Sequence, residues 1–132
     1  DVLDWVKEVE QRGAGEIILT SVDREGTGTG FDLSLIKMVR DNVNISVIAH
    51  GGAGNISHIA EAIQDGGADA VAIASMLHYS TLKTDILAEN EFKEEGNIDF
   101  IKENTNINGW GGYTLMDIKK RLSGKNIHLR TN

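Results

Sequence analysis

Ile45-Ser46-Val47-Ile48-Ala49-His50-Gly51-Gly52-Ala53-Gly54-Asn55 reads as a β-branched strand, a glycine-rich turn and a helix cap, in that order. Ile56, Ile59, Ala60 and Ile63 follow at helical spacing, and Gly66-Gly67 ends that helix. One such unit says little, but this one has neighbours on both sides. Upstream, Glu16-Ile17-Ile18-Leu19-Thr20 is a short apolar strand, and a polar, Gly-rich stretch runs from Asp23 to Gly30. Asp32 then suits an N-cap, with Leu35, Ile36 and Val39 as the inner stripe of a helix. Downstream, Ala70-Val71-Ala72-Ile73-Ala74 is a third strand leading into Ser75. Strands alternating with helices every ~25 to 30 residues predict βα units and a parallel sheet. Each strand is apolar on both faces, as it must be when helices cover one side and a barrel interior or a second helix layer covers the other.

A helix is predicted from Val2 to Arg12, with Val2, Val6 and Val9 as its stripe and Leu3 and Trp5 beside it. Trp5 is expected to pack, and Gly13 to stop the helix in a left-handed cap. Beyond His78 the pattern weakens. A charged segment can hold a short helix from Thr84 to Glu95, and an Asn- and Gly-rich stretch from Asn97 to Gly112 carries Trp110, a candidate loop anchor. Thr114 with Asp117 has the form of a capping box, and Leu115, Ile118 and Leu122 suit a final helix.

The composition narrows the function classes. A chain of 132 residues holds one domain. Thirteen basic against 20 acidic residues give a net charge of −7, which argues against a nucleic-acid partner. No apolar run approaches the ~20 residues of a membrane span. The expected location is cytoplasmic. Zero Cys excludes disulfides and thiolate zinc sites. The four histidines (His50, His58, His78 and His128) lack metal-ligand spacing, so no metal is expected. No serine sits in a Gly-x-Ser-x-Gly elbow.

Two features carry chemistry. The turn His50–Gly54 leaves backbone N–H groups free at a helix N-terminus, where glycine permits close approach of an oxyanion. Ala74-Ser75 holds the matching place on the next strand and can offer N–H groups and a hydroxyl to the same anion. Against this stands the simpler reading that the glycines only make tight turns. The loop Thr20–Thr27 brings Asp23, Glu25 and hydroxyls to the C-terminal end of a strand, where ligands bind in α/β sheets. Its carboxylates suit acid, base or hydroxyl-binding roles, or merely a solvated loop. His50 is the one histidine in the candidate pocket, and a hydrogen-bonding role suits it better than acid–base work.

These motifs resemble, in order and spacing, those of a known family. Gly13 through Thr27 is similar to a central motif of the cyclase subunit of imidazole glycerol phosphate synthase. Ala49-His50-Gly51-Gly52-Ala53-Gly54, and Gly67-Ala68-Asp69-Ala70 through Ala74-Ser75 with His78-Tyr79, resemble its next two motifs. The resemblance implies a (β/α)8 barrel that takes ammonia from a glutaminase partner and cleaves and cyclises a substrate bearing two phosphates, without a cofactor. Related subunits serve surface-sugar amidotransferases. By resemblance, Gly51, Gly52, Ala74 and Ser75 hold one substrate phosphate. Thr20, Glu25 and Gly26 lie along the substrate, with His50 beside them. Glu16 matches a charged residue at the opposite mouth, where the family gates ammonia.

Three departures shape the expectation. The family has Asp where this chain has Glu25 and Ser where it has His50, which alters the pocket. Residues 80–112 read as an insertion. The resemblance covers only the barrel from the helix before its sixth strand onward, so the family's two catalytic aspartates and its second phosphate site fall outside. The chain is therefore expected to be the C-terminal part of such a barrel: three parallel strands alternating with helices, plus a C-terminal helical segment. It should be inactive alone and self-associate through its uncovered sheet. The competing readings are a stand-alone, flavodoxin-like phosphate-binding module, a fragment of a surface-sugar paralogue, and the related sugar isomerase, which the Thr20–Thr27 motif fits less well.

Overall fold

A computed structural model describes residues 1–78 and 113–130. Within them, strands β1 (Glu16–Thr20), β2 (Ser46–His50) and β3 (Ala70–Ala72) form one parallel sheet in the order β1-β2-β3. Helices α1 (Val2–Gln11), α2 (Leu33–Arg40) and α3 (Ile56–Gln64) alternate with the strands, and α4 (Leu115–Ser123) trails them. The α/β alternation is the one predicted. β1 has its predicted bounds, and β2 lies one residue further along the chain. β3 is shorter than the predicted Ala70–Ala74: its pairing stops at His50↔Ala72, because at Gly51 (φ +92) the neighbouring backbone turns out of the sheet. The predicted helix Thr84–Glu95, the loop around Trp110 and the proposed insertion at 80–112 lie outside the described residues.

The helices begin on the residues suited to cap them. Asp32 accepts the Leu35 N–H at 3.0 Å, and Asn55 accepts the His58 N–H at 3.1 Å. Thr114 and Asp117 cap each other reciprocally. Hydrogen bonds from the Thr114 hydroxyl and N–H, and then the nearby Arg121 and Lys120, hold the Asp117 carboxyl below its ordinary value. This contribution is complete above the ordinary carboxylate range and is lost as pH falls through the lowered value. At the end of α1 the Gly13 N–H reaches the Glu10 carbonyl (2.9 Å) and the Ala14 N–H reaches that of Val9 (3.2 Å). With Gly13 at φ +93 this is the expected left-handed stop.

In-register pairing divides the sheet into two unlike faces. Leu19, Ala49 and Val71 share one row and face, with Ile17 and Val47 two residues back on the same side. This face meets the helices, and Leu19, Val47 and Ala49 join Val6, Ile36, Val39 and Ile59 in a single core. Ile118, Leu122 and Ile127 extend the core around α3. The opposite face carries Ile18, Ile48 and Ala70 in one row and Thr20, His50 and Ala72 in the next. At its C-terminal end Glu25 reaches His50, while further back Ile18 is 63% exposed.

Strands from part of a barrel are expected to leave one sheet face uncovered, and the described helices lie on the other face alone. A doubly wound sheet places helices on both sides, whereas sequential parallel strands with one helical layer are consistent with an arc of a (β/α) barrel. One packing expectation is corrected. Trp5 is 60% exposed, because α1 buries Val6 and each residue is turned ~100° from the next. Leu115 lines the rim of an apolar groove between α3 and α4 and stays outside the core.

Candidate functional site

The sheet register assembles the site at the C-terminal ends of the strands. Thr20 and His50 are partners across β1 and β2, and Thr20 Oγ1 lies 3.0 Å from His50 Nδ1. The chain then turns back on itself, since the Ser21 carbonyl accepts the N–H groups of Arg24 (3.2 Å) and Glu25 (2.9 Å). The turn carries Glu25 over the end of β2, where its Oε2 stands 3.7 Å from His50 Nδ1. Arg24 is directed elsewhere, donating to the Thr29 hydroxyl at 3.3 Å.

The rest of the β1–α2 loop is seated on the glycine turn that follows β2. The Gly30 N–H donates to the Gly52 carbonyl at 2.8 Å. Gly52 has φ +99, and a Cβ there would overlap the Gly30 carbonyl; a Cβ at Gly54 would overlap that of Gly28. Two of the three glycines are thus required by the packing of loop on turn, a more specific cause than tight turning alone. Gly51 is different. A Cβ there would lie 3.0 Å from the Ser21 carbonyl oxygen and 3.1 Å from Glu25 Oε2. The N–H groups of Gly51, Gly52 and Ala53 donate to no acceptor among the described residues.

One small cavity gathers most of the candidate residues. Gly51, Gly52, Ala74 and Ser75 line it, as do Glu25, Gly26 and His50. Ser75 opens the helical stretch 75–78, with the N–H groups of Leu77 and His78 on the Ala74 carbonyl at 3.0 and 2.9 Å. Thr20 reaches the cavity only through His50. Glu16 stands at the far end of β1, exposed and ~13 Å away along the strand. Asp23 is exposed and does not line the cavity. The walls also include Ala53, Ala72 and Ile73, small or apolar residues whose type alone gave no signal. Asp69 has a structural role that its place in the sequence does not signal: its carboxylate accepts the Val47 N–H at 2.8 Å and pairs with Arg40 at 3.3 Å, tying the start of β2 to α2. Among the described residues no group of three or more His, Asp or Glu could hold a metal, and no helix is long and apolar enough to cross a membrane.

A family model described as histidine biosynthesis protein matches residues 1–83, more than half of the chain. The chain belongs to that family. The imidazole glycerol phosphate synthase subunit HisF of Microcystis aeruginosa is 54% identical over 82 residues, covering 62% of this chain and 32% of that protein. The HisF subunit of Pyrobaculum aerophilum is 56% identical and that of Trichormus variabilis 52% identical, with the same coverage. The chain thus spans about a third of the length of the curated relatives it matches. Among solved structures, the BexX/CysO complex of Amycolatopsis orientalis has a chain with TM-score 0.49 and 25% identity, covering 54% of this chain and 29% of that one. That likeness is too slight to bear on fold or function.

Proposed function

We propose that this member of the histidine biosynthesis family is the C-terminal part of a cyclase-type (β/α)8 barrel whose turns after β2 and β3 hold one phosphate of a phosphorylated substrate. The observation that carries the reading is the single cavity lined by Gly51 and Gly52 from one turn and Ala74 and Ser75 from the next. Free N–H groups beside a strand end are what a phosphate needs, and phosphate sites shared by successive βα turns recur in barrels of this kind. The relatives named as imidazole glycerol phosphate synthase subunits support a parent that uses ammonia from a glutaminase subunit to cleave and cyclise a bis-phosphorylated substrate in the cytoplasm. Thr20, Glu25, Gly26 and His50 then lie along the substrate, and Glu16, at the opposite end of β1, takes the ammonia-gate position.

In this reading the two catalytic aspartates and the second phosphate site belong to the preceding barrel strands. The 132-residue chain catalyses nothing alone and covers its open sheet face by self-association. Mixing it with the first five βα units of a HisF relative tests this. Ammonia-dependent consumption of the bis-phosphorylated substrate should arise only in the mixture, and the chain alone should sediment as an oligomer. Turnover by the chain alone contradicts the fragment reading. A stable monomer with cooperative unfolding favours the stand-alone binding module.

A further inference from the structure

Among the residues lining the phosphate cavity, His50 alone can carry positive charge, and Glu25 alone carries negative charge. An anion seated on the Gly51 and Gly52 N–H groups would meet the Glu25 carboxylate, whose Oε2 lies 3.1 Å from where a Gly51 Cβ would stand. Something must offset that repulsion. The imidazole is placed to do so. Its Nδ1 is occupied on the protein side, 3.0 Å from the Thr20 hydroxyl and 3.7 Å from Glu25 Oε2, while its Nε2 has no partner among the described residues. The ring is half-buried and borders the cavity.

We propose that His50 is a specificity-determining donor of this site: Thr20, joined by Glu25 when the ring is charged, fixes the ring at Nδ1, and Nε2–H is presented to a tetrahedral oxyanion on the Gly51–Gly52 turn. The inference rests on the phosphate reading and adds a residue-level role to it. The chemistry is self-consistent in both protonation states. In the neutral ring the Thr20 hydroxyl donates to Nδ1, which leaves the proton on Nε2. In the charged ring Nδ1–H faces the Thr20 oxygen and the Glu25 carboxylate, and Nε2–H is still a donor. In that charged state Glu25 is a positioning residue, orienting the ring that screens it from the anion, whereas in the neutral ring Thr20 alone holds Nδ1.

Inorganic phosphate and the intact ¹⁵N-labelled chain test this. In long-range ¹H–¹⁵N spectra of the unmodified chain with phosphate, His50 should carry its proton on Nε2, as the Nε2–H tautomer or the imidazolium. His50→Ala should weaken phosphate binding about five- to ten-fold, the loss of one charge-assisted hydrogen bond at a partly solvated site. His50→Gln, which restores a donor near the Nε2 position, should recover much of that loss, and His50→Asn should not. A merely structural role would not separate Gln from Asn. The proposal is overturned if His50→Ala binds phosphate as well as the unmodified chain does, or if the spectra show the Nδ1–H tautomer. If the unmodified chain binds no phosphate, the site reading falls, and this proposal with it. Equal binding by His50→Ala and the unmodified chain removes only the role of His50.

Discussion

Gly52→Ala is expected to destabilise the chain by about 2–4 kcal/mol and to abolish phosphate binding. Two effects add. Gly52 sits at φ +99, where a Cβ costs about 1–2 kcal/mol of backbone strain. The new Cβ would also overlap the Gly30 carbonyl, which is backbone and cannot rotate aside. Relief requires lifting the β1–α2 loop, which breaks the Gly30–Gly52 hydrogen bond and carries Glu25 away from His50. The urea midpoint, measured at fixed protein concentration because association shifts it, reports the stability change. Gly15→Ala is the control: φ there is ordinary and nothing lies within 4 Å of the added Cβ, so its midpoint should hold. Equal midpoints for Gly52→Ala and the unmodified chain would remove the loop-seating account.

This interlock shows where a sequence stops being readable. The strand–turn–helix units were legible because their signals are local: β-branched runs for β1 and β2, Asp32, Asn55 and Thr114 at the caps, and Gly13 after α1. The site was legible as a list, because its motifs follow strands and strand ends collect ligands in α/β folds. The reasons behind the list were not legible. That Gly52 and Gly54 serve the neighbouring loop depends on the path of residues 23–30, which no spacing encodes. That Thr20 meets His50 depends on the register of β1 against β2. Ile18 shows the same limit. Its type suits a buried strand position, yet it belongs to the face that the described helices do not reach. Trp5 looked like core because it is aromatic, although the α1 stripe passes beside it.

Leu122→Ala is the second large effect, expected at about 2–5 kcal/mol. Leu122 is 2% exposed and, with Ile118 and Ile127, packs α4 onto the core that Ile59 of α3 anchors. The truncation leaves a cavity at the junction between the trailing helix and the three βα units. Beyond a lowered midpoint, amide exchange in α3 should accelerate, because α4 packs on that helix. Met116→Ala, on the exposed side of α4 at 81% exposure, should change the midpoint little. If Leu122→Ala were equally silent, α4 would not be part of the fold that carries the site.

The central claim is that the turns after β2 and β3 form one phosphate site. Titrating inorganic phosphate into the ¹⁵N-labelled chain and following each backbone amide tests it most directly. The account predicts saturable shifts that are largest at Gly51, Gly52, Ala53 and Ser75, with one shared affinity. Shifts confined to one turn, shifts centred on the lysines and arginines of α2 and α4, or no saturable shift at all would contradict it.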